Sequence, residues 1–267
     1  MTTVEPGKYQ DLLVELDGGI ATVTLNRPDA LNSVNARLHR ELEMVWADVG
    51  ALEEARCIIL TGSGRAFSAG GDIKAMAAGE FGENPGATLL PGARDLIYRL
   101  LSVRQPIVTA INGDCMGLGA SMALMTDYVV MAEDARIGDP HVRVGLVAGD
   151  GGAAIWPLLV GLSKAKEALM FGKLYTAGEA KEMGLVNEVV PREQVAEVAL
   201  KAATQLAEGA PLAIQWTKLS LNKILKQVVE VAFDTSAALE MLSFMSRDHK
   251  TAANAFITRT KPQFEGK

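Results

Sequence analysis

A histidine and an aspartate within one glycine-broken segment are the residues best suited to moving protons. His141 follows Pro140, and Asp150 lies in the run Gly149-Asp150-Gly151-Gly152. An imidazole with an unperturbed pKa of about 6.5 can serve as a base near neutrality, and a carboxylate can orient it. Two further stretches offer hydrogen-bond donors. The apolar run Cys57–Thr61 leads through a loop to Ala69-Gly70-Gly71-Asp72, and the run Ile107–Ile111 leads through Asn112–Gly119 into small residues from about Ala120. A strand that passes through a glycine turn into a helix leaves backbone N–H groups unpaired, where they can hold a developing oxyanion. Gly117 and Gly119 permit a turn that side chains would block, and two such turns can converge on one oxygen.

These residues must be positioned by alternating strands and helices. Leu12–Leu16 and Ile20–Leu25, split by Asp17-Gly18-Gly19, predict a β-hairpin. Leu38, Leu42, Val45, Val49 and Leu52 predict a helix with one apolar face. A strand over Cys57–Thr61, a short helix over Ile73–Met76, a helix over Leu89–Leu101, and strands over Ile107–Ile111 and Tyr128–Met131 follow. The segment from Glu80 to Pro91, with Gly82, Pro85 and Gly86, reads as an irregular loop. Ser163 reads as the cap of a helix over Lys164–Phe171, and Thr176 or Gly178 starts another that ends at Gly184. A strand over Leu185–Val190 stops at Pro191, and everything beyond reads as helix, over 193–207, 211–225, 228–246 and 249–258. The alternation predicts an α/β fold, with residues 1–192 as its core and 193–267 as a helical C-terminal module.

Bulk properties narrow the function classes. A chain of 267 residues, 49% hydrophobic and 22% charged, can bury a sizeable core. A net charge of −6 argues against nucleic-acid binding, which needs a basic face. Cys57 and Cys115 are too few for a disulfide framework and suit a reducing compartment. The polar stretch Met1–Gln10 has no apolar leader core, and no apolar run is long enough to span a membrane. The expectation is a cytoplasmic protein without membrane contact.

The long motifs Ile59-Leu60-Thr61-Gly62 with Phe67-Ser68-Ala69-Gly70-Gly71-Asp72-Ile73-Lys74, and Ala110-Ile111-Asn112-Gly113 with Gly117-Leu118-Gly119-Ala120-Ser121, resemble those of the enoyl-CoA hydratase/isomerase (crotonase) superfamily. The likeness covers nearly the whole chain. It implies a spiral of ββα units, assembly into trimers or hexamers through the helical module, and an acyl-CoA thioester as substrate. Coenzyme A is then part of the substrate, with no permanently bound cofactor and no metal. The resemblance places the oxyanion hole at the N–H groups of Gly71 and Leu118, although the second position is usually glycine. Coenzyme A contacts fall on Ala30, Ala69, Gly71 and Ile73, with Lys74 and Arg259 near the phosphates and Arg259 coming from the tail of this or another subunit. The segment around Glu80–Pro91 would border the acyl pocket.

The superfamily's hydratases use two glutamates, at positions held here by Ser121 and His141. Water would then be activated by His141 with Asp150 orienting it. This His and Asp pair, with Trp156-Pro157 after it, is also similar to the β-diketone hydrolase branch, of which 6-oxocamphor hydrolase is one, and which cleaves carbon–carbon bonds by a retro-Claisen route. His39 and Glu240 correspond to polar residues of that branch. The simpler reading is favoured for both: His39 lies beside a helix stripe, and Glu240 sits in a tail full of solvated charge. A non-catalytic acyl-CoA binder is a third reading, against which His141 argues.

Other classes fit less well. Gly119-Ala120-Ser121-Met122-Ala123 approaches a nucleophile elbow but lacks the second glycine and would have to recruit His249 from the tail. Three scattered histidines give no metal-ligand spacing, and Gly117-Leu118-Gly119 lacks the third glycine of a dinucleotide fingerprint.

Overall fold

A computed structural model describes residues 2–3, 7–82 and 85–267. Met1 and Val4–Pro6 of the polar start, and Glu83 and Asn84 of the expected loop, lie outside the described residues. The order begins with β1 (Thr2–Thr3), the hairpin β2 (Leu12–Asp17) and β3 (Ile20–Leu25), α1 (Ala36–Gly50), β4 (Cys57–Gly62), β5 (Ala66–Ser68) and α2 (Ile73–Ala77). It continues with α3 (Pro85–Thr88), α4 (Leu90–Ser102), β6 (Ile107–Ile111), β7 (Asp114–Met116), α5 (Leu118–Leu124), β8 (Tyr128–Ala132) and β9 (Arg136–Gly138). The remainder is α6 (Gly152–Phe171), β10 (Leu174–Thr176), α7 (Ala177–Glu182), β11 (Glu188–Val190), α8 (Val195–Glu208), α9 (Pro211–Phe244) and α10 (Arg247–Thr258).

Seven strands form one sheet in the order β1-β2-β3-β4-β6-β8-β11, in which β3, β4, β6, β8 and β11 run parallel. Every residue of β6 is buried, as its unbroken apolar run requires of a strand covered on both faces. α8 lies across β4, β6 and β8, so the first helix of the C-terminal run covers the sheet. The core is continuous from Trp46 and Phe67 to Trp156 and Phe233.

A second sheet, in the order β10-β9-β7-β5, was not expected. Its strands span three residues each, too few for alternation to show, and β5 and β7 fall inside segments that read as loops. This small sheet holds the two glycine turns side by side.

Other differences have local causes. α9 is one helix where two were expected, because no glycine or proline occurs between Pro211 and Phe244 to break it. α6 starts at Gly152 and not after Ser163. It bends at Gly161, whose φ of 75° and ψ of 158° leave the helical region. The helix expected near Ala120 starts at Leu118, the strand expected over Leu185–Val190 pairs only over β11, and the expected loop before Pro91 contains the short helix α3. Thr176 caps α7 and exchanges hydrogen bonds with Glu179 in a full capping box. No helix among the described residues is long and apolar enough to cross a membrane. Cys57 and Cys115 are free and buried, and burial pushes the Cys57 thiol pKa up to about 12.

Candidate active site

The two turns meet, and glycine is what lets them. Gly70, with φ of +82°, and Gly117, with φ of +52°, hold backbone conformations that side chains rarely adopt. A Cβ added to Gly70 would stand 3.1 Å from the Met116 carbonyl oxygen and 3.6 Å from Gly117 Cα. Gly71 is bridged in parallel to Val34: the Val34 N–H donates to the Gly70 carbonyl at 2.8 Å, and the Asp72 N–H donates to the Val34 carbonyl at 3.0 Å. That pairing directs the N–H of Gly71 to the opposite side. Leu118 is the first residue of α5, so its N–H has no acceptor within the helix. Two N–H groups are therefore left for an external oxygen on the joined turns.

Asp72 secures the first turn. Its carboxylate caps α2 through the Ala75 N–H and accepts from Ser33 Oγ and Arg27 Nη1, each at 3.1 Å. Burial would raise its pKa, but these bonds hold it below the usual carboxylate range.

His141 lies against the second turn. A Cβ on Gly117 would be 3.2 Å from His141 Cε1. Around the ring sit three carboxyl groups from different parts of the chain. Asp139, at the end of β9, bonds Nδ1. Asp150 Oδ2 lies 3.2 Å from Nε2, and Glu240 Oε1, from α9, lies 3.7 Å from the same nitrogen. Ser121 Oγ donates to Asp150 Oδ1 at 2.9 Å. Glycines again clear the space: a Cβ on Gly149 would stand 2.6 Å from Glu240 Cβ, and one on Gly151 would stand 3.4 Å from Ser121 Cβ.

This geometry corrects the expected roles. Asp150 was expected to orient the imidazole and does contact it, at Nε2, while Nδ1 is held by Asp139, which the sequence did not single out. A signal was present, because an Asp-Pro-His run lets the aspartate reach the N–H two residues on. The His141 N–H lies 3.4 Å from Asp139 Oδ1. Glu240, expected in solvent, is 7% exposed and faces His141. Its helix exposes charged and apolar side chains alike, but this position turns inward against the Gly149 loop. His39 is also buried, in the seam of α1 and α4, with Nδ1 2.7 Å from Glu43 Oε1. No described contact joins it to His141. His249, the alternative partner for Ser121, bonds the Val144 carbonyl at 2.8 Å, while Ser121 bonds Asp150.

Charge follows from the arrangement. Burial alone would lower the His141 pKa, but the carboxylates of Asp139 and Asp150 outweigh it and hold the pKa well above the usual imidazole range. A ring with a carboxylate on each nitrogen keeps both protons, so His141 has no free lone pair at neutral pH. This environment favours the protonated ring and so disfavours the neutral histidine base expected near pH 7. Burial would also raise the Asp150 pKa, yet His141, Ser121 and the Gly152 N–H hold it below the usual range. Burial drives Glu240 the other way, to about 8. His141 opposes that shift, while Asp150 and Asp139 add to it. The environment thus pushes Asp150 toward its ionised form and Glu240 toward its protonated form, a divergence that suits a base and an acid. Ligand atoms of Asp139, His141 and Asp150 lie within 4.8 Å of one another. Asp139 and Asp150 each meet a different ring nitrogen.

A family profile described as enoyl-CoA hydratase/isomerase matches residues 15–267. The chain belongs to that family. It is 33% identical over 257 residues to a probable enoyl-CoA hydratase of Rhizobium meliloti, covering 96% of this chain and 98% of the relative. It is 30% identical to a 1,2-epoxyphenylacetyl-CoA isomerase of Escherichia coli, covering 96% and 98%. A crystal structure of an enoyl-CoA hydratase/isomerase from Mycobacterium paratuberculosis superposes with a TM-score of 0.88 at 36% identity, over 92% of this chain and 99% of that one.

As a member of the enoyl-CoA hydratase/isomerase family, the chain has an acyl-CoA as its class of substrate. The residues carried over for coenzyme A lie along one edge. The Ala69 N–H donates to the Leu31 carbonyl at 2.9 Å, which holds the turn of Ala30 beside that of Ala69, while Ile73 and the exposed Lys74 open α2. Arg259 ends α10, with φ of 55°, and is exposed. α10 packs on α2 of the same chain.

Proposed function

We propose that the protein adds water to an α,β-unsaturated acyl-CoA thioester at the His141–Asp150 pair. The thioester oxygen sits between the N–H groups of Gly71 and Leu118, which hold its negative charge as the enolate forms. Asp150 takes a proton from water as the hydroxyl adds to the β-carbon, and Glu240 gives its proton to the α-carbon. His141 donates from Nε2, fixing the Asp150 carboxylate and carrying positive charge beside the new anion. Ser121 orients Asp150 and does not attack. The carrying observation is the split between an ionised Asp150 and a Glu240 with a pKa of about 8 around one ring, beside the joined turns.

A second reading has one observation in its favour. Glu240, picked out by the resemblance to β-diketone hydrolases, is buried at His141, which would suit water attack on a ketone and retro-Claisen cleavage. Purified protein incubated separately with crotonyl-CoA, a β-ketoacyl-CoA and a cyclic β-diketone separates the two by mass spectrometry. A hydroxyacyl-CoA from crotonyl-CoA is the expected result. Ring opening or a split acyl chain without hydration would replace the first reading by the second. Thioester bound but unchanged would overturn both in favour of a binder.

We also infer that residues 193–267 mediate assembly into a homotrimer or hexamer. Exposed Trp216, Leu221, Ile224 and Val231 on α9 support this, since apolar side chains gathered on one helix gain by being covered.

A further inference from the structure

Asp139 is the carboxyl group in the cluster that the proposed chemistry does not use. It is 1% exposed, and Oδ1 bonds His141 Nδ1. Its other oxygen, Oδ2, is buried without a hydrogen-bond partner. Such an atom is costly to keep and calls for a reason. The reason is not a general need to fill space, because a Cβ added at Gly152 would collide with that same Oδ2. Position 152 carries no side chain where Asp139 needs the room. Gly152 also opens α6, a helix of 20 residues, whose N-terminal end favours a negative group.

The groups facing the ring are Asp139 from the end of β9, Asp150 and Gly117 from loops, and Glu240 from α9. His249 of α10 bonds the Val144 carbonyl behind this segment and brings no charge to the ring. Among the described residues, Asp139 alone reaches Nδ1. Without its charge, the carboxyl groups facing the ring, Asp150 and Glu240, would both lie on the Nε2 side.

We propose that Asp139 is a positioning residue that, with the clearance at Gly152, clamps the His141 ring so that both nitrogens keep their protons and Nε2–H points at Asp150. This rests on the reading that the His141 cluster carries the acid–base chemistry. Asp139 touches no reacting atom. It sets which partner in the cluster can act as base, by denying that role to the imidazole. Asp139→Asn keeps an oxygen that can accept from Nδ1–H but removes the charge, so the ring should stay in place and lose its proton at lower pH.

The test is the titration of His141 in protein labelled with nitrogen-15 histidine. The chain has 3 histidines, so a His141→Gln variant assigns the signal. In the wild type, both ring nitrogens should be protonated at neutral pH. In Asp139→Asn the midpoint should fall by about one to three pH units. Gly152→Ala should move it in the same direction, by pushing Asp139 off the ring while its carboxylate remains in the chain. The pH at which kcat for crotonyl-CoA changes should follow the ring, while KM moves less than about two-fold, since ground-state binding is untouched. A midpoint equal to wild type in both variants overturns the proposal. The titration needs no substrate. A shifted midpoint in a protein that does not hydrate crotonyl-CoA would leave the clamp standing and remove the hydration reading instead.

Discussion

If the proposed oxyanion hole holds the enolate, the Gly71 N–H is its most direct donor, because the Gly70 carbonyl and the Asp72 N–H on either side of it are engaged by Val34. Proline at 71 has no N–H to offer. A side chain there would collide with the Met76 methyl, the far end of a flexible chain. The change is therefore best made as Gly71→Pro in a Met76→Ala background. Turnover is expected to fall roughly a hundred- to a thousand-fold relative to Met76→Ala alone, with thermal unfolding showing the fold retained. Equal turnover in the two would remove the oxyanion role. At this scale the sequence showed His141 and Asp150, since proline and glycine isolate them in a short segment. It singled out Glu240 only through the resemblance and favoured a solvated role, because a glutamate on a long helix looks solvated until the Gly149 loop is placed against it. Nor did it show that three carboxyl groups close on one ring, which turns an expected base into a cation.

α9 is pinned to the sheet by a buried polar contact. Lys218 Nζ lies 2.7 Å from Asp127 Oδ2 and donates to the Gln105 carbonyl at 2.8 Å, while Asn222 donates to the Leu101 carbonyl at 3.0 Å. The same Asp127 oxygen accepts the Ile107 N–H at 2.7 Å, at the start of the strand that leads to the second turn. Lys218→Ala would leave that carboxylate without its cation, at a cost of about 3 kcal/mol in urea unfolding. Stability within about 0.5 kcal/mol of wild type would mean that the pair is dispensable. The main strands and first helices were legible because their apolar patterns run for five residues or more, as in β4 and β6. The second sheet was not, since strands of three residues carry no period. Its register comes from the larger sheet and helices that it packs against.

At the scale of the molecule, the account joins one face to another. α9 carries Glu240 inward to the site and Trp216, Leu221, Ile224 and Val231 outward. If the outer face is covered by other copies of the chain, sedimentation at micromolar concentration should give a trimer or hexamer, and Trp216→Glu should shift it toward monomer. A wild-type monomer would sink the assembly inference and leave the fold untouched. The net charge of −6 argues against a basic face, but composition alone says nothing of which helix face is left bare.

The central claim is that Glu240 gives the proton that completes the addition. Its pKa of about 8 lies above its ordinary value, so the acid form is present below that pH and is lost as pH rises through it. The most direct measurement is kcat/KM for crotonyl-CoA against pH, for wild type and Glu240→Gln. The expected result is a wild-type rate that falls above about pH 8, and a variant slower by roughly 10²- to 10⁴-fold that lacks this limb. A Glu240→Gln enzyme with the wild-type rate and the same alkaline fall would contradict the account.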